Sequence, residues 1–127
     1  MKFIMASHGD LAKTLVKTAE MIIGKQPSIM ALGLYPETDL ESFKEELTKE
    51  IIEEEGEVLV LLDLLGGTPF NSIIQTLQNE RVQFVVGMNL GMLLELLLDS
   101  TEKNAIEAAR FAKEKGIQSI VTKEDIL

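Results

Sequence analysis

The chain has 127 residues, of which 46% are hydrophobic, and its formal net charge at pH 7 is −9. This length and composition predict a single globular domain, residues 1–127, and exclude a disordered chain. The acidic charge disfavours nucleic acid as a partner, and the absence of cysteine excludes disulfides and thiolate chemistry. Because no apolar stretch is long enough to cross a membrane and no secretory signal is visible, we expect a cytoplasmic protein.

The first half of the chain alternates apolar runs with helical periodicity. A strand at Lys2–Ala6 precedes the loop Ser7–Gly9 and a helix at Asp10–Ile23, for which Asp10 is the expected N-cap. The next elements in order are a strand at Ser28–Leu34, a helix opened by the capping box Thr38-x-x-Glu41, and a strand at Val58–Asp63.

The second half continues the alternation. It is predicted to contain a helix at Pro69–Asn79, a strand at Val82–Gly87, helices at Met92–Leu98 and Thr101–Lys115, and a closing strand at Ile117–Val121. The segment Met92–Leu98 is apolar nearly all round, which is expected either of a fully buried helix or of a helix that lies partly at a subunit interface. The closing strand would either close its own sheet or pair as an exchanged edge strand.

The alternation predicts a three-layer α/β/α fold around a mostly parallel sheet. Right-handed crossovers favour the strand order 2-1-3-4, with a further edge strand at the C-terminus. In such sheets ligands bind beyond the carboxyl ends of the strands, where the strand order reverses. Strands one and three meet there, which brings His8 and Asp63 together despite their separation in sequence.

The stretch LLDLLGGTPFNS, Leu61 to Ser72, follows Asp63 with a double glycine and a Thr-Pro pair. Thr68 is the expected N-cap of the next helix and Pro69 its first residue. Gly66 and Gly67 would let the backbone approach an anion closely, and backbone N–H groups, the Thr68 hydroxyl and the helix N-terminus would bind it. Taken alone, these residues also fit a tight turn without a ligand, and Asp63 fits a simple cap.

The sequence does not contain the residues that nucleotide binding or zinc binding would require. There is no G-x-x-x-x-G-K-[ST] or G-x-G-x-x-G motif, and one histidine without cysteine makes a zinc site improbable, so neither cofactor nor metal is predicted. The remaining chemistry is nucleophilic: a neutral imidazole held by a carboxylate at one nitrogen presents the lone pair of the other, which can accept a phosphoryl group.

Three blocks carry a resemblance to a known family: His8-Gly9 after the first strand, LLDLLGGTPFNS at the third, and VVGMNLGMLLE at the fourth. In order and length they resemble the IIA domains of the mannose/fructose/sorbose family of the bacterial phosphoenolpyruvate-dependent sugar phosphotransferase system. The family usually has proline after the Asn-Leu pair of the fourth-strand loop, whereas this chain has Gly91.

The resemblance implies a phosphotransferase in which His8 takes a phosphoryl group from the histidine-containing phosphocarrier protein and passes it to a IIB domain during sugar uptake. It implies that Asp63 hydrogen-bonds the other nitrogen of His8 and that Thr68 contacts the phosphoryl group. It also implies a homodimer with an exchanged C-terminal edge strand, and only indirect dependence on the membrane components IIC and IID.

Two other functions remain open from the sequence. One is a regulatory or binding module of the same fold, in which phosphorylation signals sugar supply. The other is the phosphodonor subunit of a dihydroxyacetone kinase, against which the intact GGTPFN stretch argues.

Overall fold

The computed structural model describes the whole chain, Met1–Leu127. Its strands are β1 (Lys2–His8), β2 (Ile29–Leu34), β3 (Val58–Leu62) and β4 (Val82–Val86). Its helices are α1 (Leu11–Ile23), α2 (Leu40–Glu53), α3 (Thr68–Asn71), α4 (Leu90–Leu98), α5 (Ala105–Gln118) and α6 (Lys123–Ile126), with a 3₁₀ helix at Ile74–Gln78. None of the helices combines the length and apolar content that a membrane crossing requires.

The four strands form one parallel sheet in the order β2-β1-β3-β4, which confirms the predicted order. Every residue of β3 is buried, as expected of a central strand covered on both faces. Since β1 and β3 are neighbours and run in the same direction, their carboxyl ends lie side by side. This adjacency, which the crossover topology produces, sets the position of the candidate functional site.

Two hydrophobic cores lie on opposite faces of the sheet and make the fold a three-layer α/β/α structure. One face is covered by α2, through Phe43, Leu47 and Ile51. The other is covered by α1, α4 and α5, which contribute small or apolar side chains such as Ala12, Leu93 and Ala112. The predicted fold class is confirmed, because alternate residues of each strand enter opposite cores.

Several predicted helix starts were displaced by short distances. Helix α2 is capped by Asp39, whose carboxylate accepts a hydrogen bond from the Ser42 N–H (3.1 Å), and not by the box that begins at Thr38. The Thr38 hydroxyl instead accepts from the Tyr35 N–H (2.9 Å). Adjacent Thr and Asp both have side chains that cap well, so the pattern does not distinguish them.

The strand predicted at Ile117–Val121 is wrong for this chain: α5 continues through Gln118, and α6 follows a short connection. The small residues Ala105, Ala108, Ala112 and Gly116 are buried along one side of α5, so the helical face extends past the glycine that was expected to end it. Burial of these small side chains therefore favours helix through Gly116, whereas Ile117, Ile120 and Val121 are exposed and belong to no strand.

Helix α4 was expected to be without an exposed face. Met92, Leu93 and Leu96 are buried, in agreement with a core position, whereas Glu95 is exposed and the Leu98 side chain is 64% exposed. The helix thus packs one face against α1 and α5 and leaves one edge open. A contact of that edge with a second subunit stays a prediction.

Gly91, at which the sequence departs from the family that it resembles, lies in the first turn of α4 beneath the end of α5. A Cβ at residue 91 would collide with the Ser119 Cβ and come within 2.8 Å of the Ser119 Oγ. Asn89 links the same two helices, because its side chain caps α4 at the Met92 N–H (2.9 Å) and donates to the Gly116 carbonyl (3.3 Å). The glycine therefore lets the C-terminal end of α5 close over the start of α4.

We expect Gly91→Ala to destabilise the fold by about 1–2 kcal/mol, because the overpacking outweighs the gain in helix propensity. Chemical denaturation measures this change. Ser119→Gly is the matched second substitution, since it removes the atoms that the new methyl group meets. The double variant should recover stability relative to the sum of the two single changes. Strictly additive effects would contradict the contact.

Candidate functional site

The site is centred on His8, the last residue of β1, and on Asp63, which follows the last residue of β3. The His8 side chain is 47% exposed, whereas the Asp63 side chain is only 9% exposed. The predicted contact between them is present: the His8 Nδ1 and the Asp63 Oδ2 lie 2.8 Å apart. Parallel pairing of β1 with β3 produces this contact across 55 residues of sequence.

Asp63 holds the backbone of His8 as well as its ring. The same Oδ2 accepts from the His8 N–H (2.9 Å), and Oδ1 accepts from the Leu64 N–H (2.9 Å). Burial favours the protonated acid, but these hydrogen bonds from His8 and Leu64 outweigh it, so the pKa of Asp63 lies below its ordinary value of 3.8. Asp63 is therefore a carboxylate at neutral pH.

The protonation pattern of the His8 ring follows from this contact. A carboxylate only accepts hydrogen bonds, so the ring nitrogen that meets it, Nδ1, must carry the proton. In the neutral ring the other nitrogen, Nε2, then has a free lone pair. The arrangement presents a nucleophilic nitrogen on a side chain that is half exposed to solvent.

The glycines of the LLDLLGGTPFNS stretch lie beside this ring, and they have different roles. Gly66 has φ +78°, a backbone conformation that favours glycine. Gly67 is extended (φ −73°), but a Cβ on it would lie 2.9 Å from the His8 Cε1 and 3.6 Å from Nε2. Gly67 therefore provides space against the imidazole, while Gly66 allows the turn itself.

Thr68 was expected to be the N-cap of a helix extending to Asn79. Instead Gly67 is the N-cap residue and Thr68 the first helical residue, and α3 ends at Asn71 before the 3₁₀ helix. A four-residue helix has a small dipole, so less of the expected anion stabilisation comes from it. Thr68 still follows directly after the glycine that faces His8, and α3 contacts β1.

The loop after β4 is hydrogen-bonded to the end of β3, next to Asp63. The N–H groups of Gly87 (2.8 Å) and Met88 (3.1 Å) both donate to the carbonyl of Leu62, the residue before Asp63. Gly87 has φ +90°, which turns the chain back toward β3. These two hydrogen bonds hold the end of β3 against the neighbouring loop, and they restrict the backbone that leads into Asp63.

Ser7 contributes to the site but was not predicted to do so. It is fully buried, and its Oγ accepts from the Ala12 N–H (2.8 Å). Ser7, and not Asp10, thus caps the first turn of α1, since the Asp10 side chain makes no cap hydrogen bond. The signal was a serine five residues before a buried alanine, a spacing that ordinary capping patterns do not include.

The site lacks the arrangement that a metal ion requires. No group of three or more His, Asp or Glu side chains converges anywhere in the structure.

A sequence model of one family, described as the fructose IIA component of the phosphotransferase system, matches residues 2–113. The fructose-specific EIIA component of Bacillus subtilis is 32% identical over 97 residues, which are 74% of this chain and 66% of that protein. The mannose-specific EIIAB component of Escherichia coli strain K12 is 30% identical over 123 residues, 92% of this chain and 38% of that longer protein.

Solved structures agree with the sequence matches. A phosphotransferase system EIIA component from Streptococcus agalactiae superimposes with a TM-score of 0.88 at 26% identity, over 98% of each chain. A mannose/sorbose-specific IIA subunit from Enterococcus faecalis gives a TM-score of 0.86 at 28% identity, over 95% of this chain and 92% of that one. The chain therefore belongs to the EIIA family of the sugar phosphotransferase system, the mannose, fructose and sorbose type of IIA component.

Proposed function

We propose that this chain is a phosphocarrier and that His8 carries the phosphoryl group on Nε2. The observation that supports this most strongly is the Asp63 carboxylate 2.8 Å from Nδ1, which leaves Nε2 as the free nucleophile. The donor is the histidine-containing phosphocarrier protein and the acceptor is a histidine of a IIB domain. The name of the Escherichia coli relative, an EIIAB component, is consistent with a IIB partner.

Each transfer exchanges one P–N bond for another. The Nε2 lone pair of His8 attacks the phosphorus of the donor phosphohistidine, the P–N bond of the donor breaks, and the electron pair returns to the donor imidazole. The His8 ring becomes cationic as it forms the new bond, and the nearby Asp63 carboxylate stabilises this charge. Transfer to the IIB histidine reverses these steps, and the proton on Nδ1 stays in place throughout.

Apart from the attack by His8 itself, the protein contributes to such a transfer mainly by positioning the reacting groups and stabilising charge. The chain supplies Asp63 to orient the ring, and Gly66, Gly67 and the Thr68 hydroxyl to surround the phosphoryl group. Of the residues proposed to surround the phosphoryl group, Gly67 lies directly against the His8 ring. We propose further that the protein acts in the cytoplasm as a homodimer.

His8→Ala is expected to abolish phosphoryl acceptance while the fold persists, because the side chain is half exposed and contributes little to the core. The protein is incubated with phosphoenolpyruvate, the first enzyme of the system and the phosphocarrier protein, and intact mass is recorded before and after acid treatment. The wild type should gain one acid-labile, alkali-stable phosphoryl group.

His8→Asn is the matched control, since its Nδ2 takes the place of Nδ1 and keeps a hydrogen-bond donor for Asp63, but it has no nucleophilic nitrogen. It should also accept no phosphoryl group. The chain contains a single histidine, so acid-labile phosphorylation of either variant would contradict the assignment. Onward transfer to a IIB domain distinguishes a carrier from a regulatory module, and transfer to nucleotide bound by a dihydroxyacetone kinase would indicate the phosphodonor function instead.

Asp63→Asn is expected to slow transfer by on the order of a hundredfold without unfolding the protein, because the ring loses its orienting charge. Single-turnover transfer measures the rate. Asp39→Asn is the control, because Asp39 is another hydrogen-bonded carboxylate, with Ser42 as its partner. It should leave the rate unchanged. Equal rates for wild type and Asp63→Asn would remove Asp63 from the mechanism.

The same variant has a defined pH dependence of stability. The pKa of Asp63 is lower in the folded state than its ordinary value of 3.8. Its contribution to the free energy of unfolding is thus fully present above that value and is lost as the pH falls through the folded pKa. The stability difference between wild type and Asp63→Asn should shrink on acidification below pH 3.8, as urea midpoints at several pH values would show.

Gly67→Ala is expected to reduce transfer about tenfold, because the new methyl group would lie 2.9 Å from the His8 Cε1 and must displace the ring. Alanine is allowed at the φ of −73° found here, so backbone strain does not confuse the result. Gly56→Ala is the control, since a Cβ there meets only the end of the Glu54 side chain. A wild-type rate for Gly67→Ala would contradict the close approach.

A further inference from the structure

Tyr35, the first residue after β2, reaches back across the sheet edge to the turn that follows His8. Its hydroxyl donates to the Asp10 Oδ1 at 2.5 Å. Gly33 makes room for this path: a Cβ there would collide with the Gly9 carbonyl oxygen and lie 2.9 Å from the Tyr35 Oη. The Tyr35 hydroxyl and the backbone of the turn are therefore packed over the same glycine.

Lys13 fixes the direction of this hydrogen bond. Its Nζ lies 3.4 Å from the Tyr35 Oη and 5.3 Å from the centre of the Tyr35 ring. An ammonium group only donates and a carboxylate only accepts, so the hydroxyl accepts from Lys13 and gives its own proton to Asp10. Lys13, Tyr35 and Asp10 thus form one chain of charge-assisted hydrogen bonds. Tyr35 lies directly after β2, Asp10 is the N-cap residue of α1, and Lys13 lies in its first turn.

Asp10 has no competing role in this structure. It occupies the N-cap position of α1, yet its carboxylate makes no cap hydrogen bond, because Ser7 already accepts from the Ala12 N–H. The bond from Tyr35 is the one hydrogen bond of the Asp10 carboxylate. This use of an N-cap aspartate is unusual, and it ties the start of α1 to the end of β2.

Two hydrogen bonds hold the turn between His8 and α1 in place. Gly9 has φ +56° and is flexible by nature, and its N–H donates to the Leu34 carbonyl (2.6 Å). The Gly9 hydrogen bond holds the turn on one side and the Tyr35–Asp10 bond holds it on the other. Since the His8 ring is half exposed, packing alone does not fix it, and its position depends on the Asp63 hydrogen bond and on the backbone before and after it.

We infer that Tyr35 is a positioning residue for phosphoryl transfer, acting through Asp10 on the backbone of the His8 turn. This inference rests on the proposed function of His8. In-line transfer between two histidines requires the nucleophilic nitrogen to be placed within a fraction of an ångström, so a looser turn lowers the rate of the transfer step. Partner binding depends on the surrounding surface and is unaffected by the loss of one partly buried hydroxyl.

Tyr35→Phe keeps the ring and removes only the hydroxyl. We expect its maximal transfer rate to fall about tenfold, with the KM for the phosphocarrier protein unchanged. Asp10→Ala should have a similar effect, and the double variant should be no slower than either single one, because all three remove the same hydrogen bond. Asp39→Asn is the matched control for the loss of a carboxylate in the neighbouring loop and should behave as wild type.

Nitrogen-15 NMR of the His8 ring gives a readout that does not depend on transfer. Tyr35→Phe should shift the His8 Nδ1 and Gly9 amide signals, while Asp39→Asn should leave them in place. A wild-type rate and unchanged signals for Tyr35→Phe would overturn the inference, as would additive losses in the double variant. If the wild type accepted no phosphoryl group, the proposed function would fail, and the NMR shifts would still decide whether Tyr35 positions His8.

Discussion

The site depends on the hydrogen bonds between the Asp63 carboxylate and His8. One of its oxygens accepts both the backbone N–H and the ring Nδ1 of His8, and the other accepts the Leu64 N–H. A single buried charge thus fixes the end of β1, the tautomer of the imidazole and the start of the following loop. Replacing solvent with these three donors keeps the carboxylate ionised despite its burial, which is reflected in its lowered pKa.

Glycine has an equally physical role around this interaction. Gly67 stands against the imidazole and Gly33 lies under the His8 turn, and at both positions a methyl group would collide with its neighbours. Gly91 serves the same purpose farther away, where α4 and α5 meet. The candidate site therefore consists of one charged contact, between His8 and Asp63, and of nearby glycines at which any side chain would collide with neighbouring atoms.

Much of the fold could be predicted from pattern. Alternating elements predicted the α/β class, and the handedness of crossovers predicted the strand order, which places His8 beside Asp63. The errors lie where local signals are ambiguous. Thr38 and Asp39 are both good caps, and Thr68 follows the true N-cap Gly67. The segment from Ile117 to Val121 has β propensity, yet α5 runs through Gln118 and no strand follows it.

The site shows the same division. The histidine, the aspartate and the glycine pair were visible in the sequence because each sits at a strand end next to turn residues. Ser7 and Tyr35 were not, because their partners, Ala12 and Asp10, are defined by contacts that no spacing rule describes. An aspartate at the N-cap position predicts a cap, and only the structure shows that its carboxylate is bonded to a tyrosine from another strand.

Sequence pattern alone predicted the layer architecture and the contact between His8 and Asp63, because periodicity and chirality restrict how strands and helices can connect. The tertiary structure alone decided which side chains cap each helix, how far α5 extends, and which glycines are required for lack of space. These features arise from distances between segments remote in the chain, and burial energies at such contacts exceed the local preferences that a sequence pattern records.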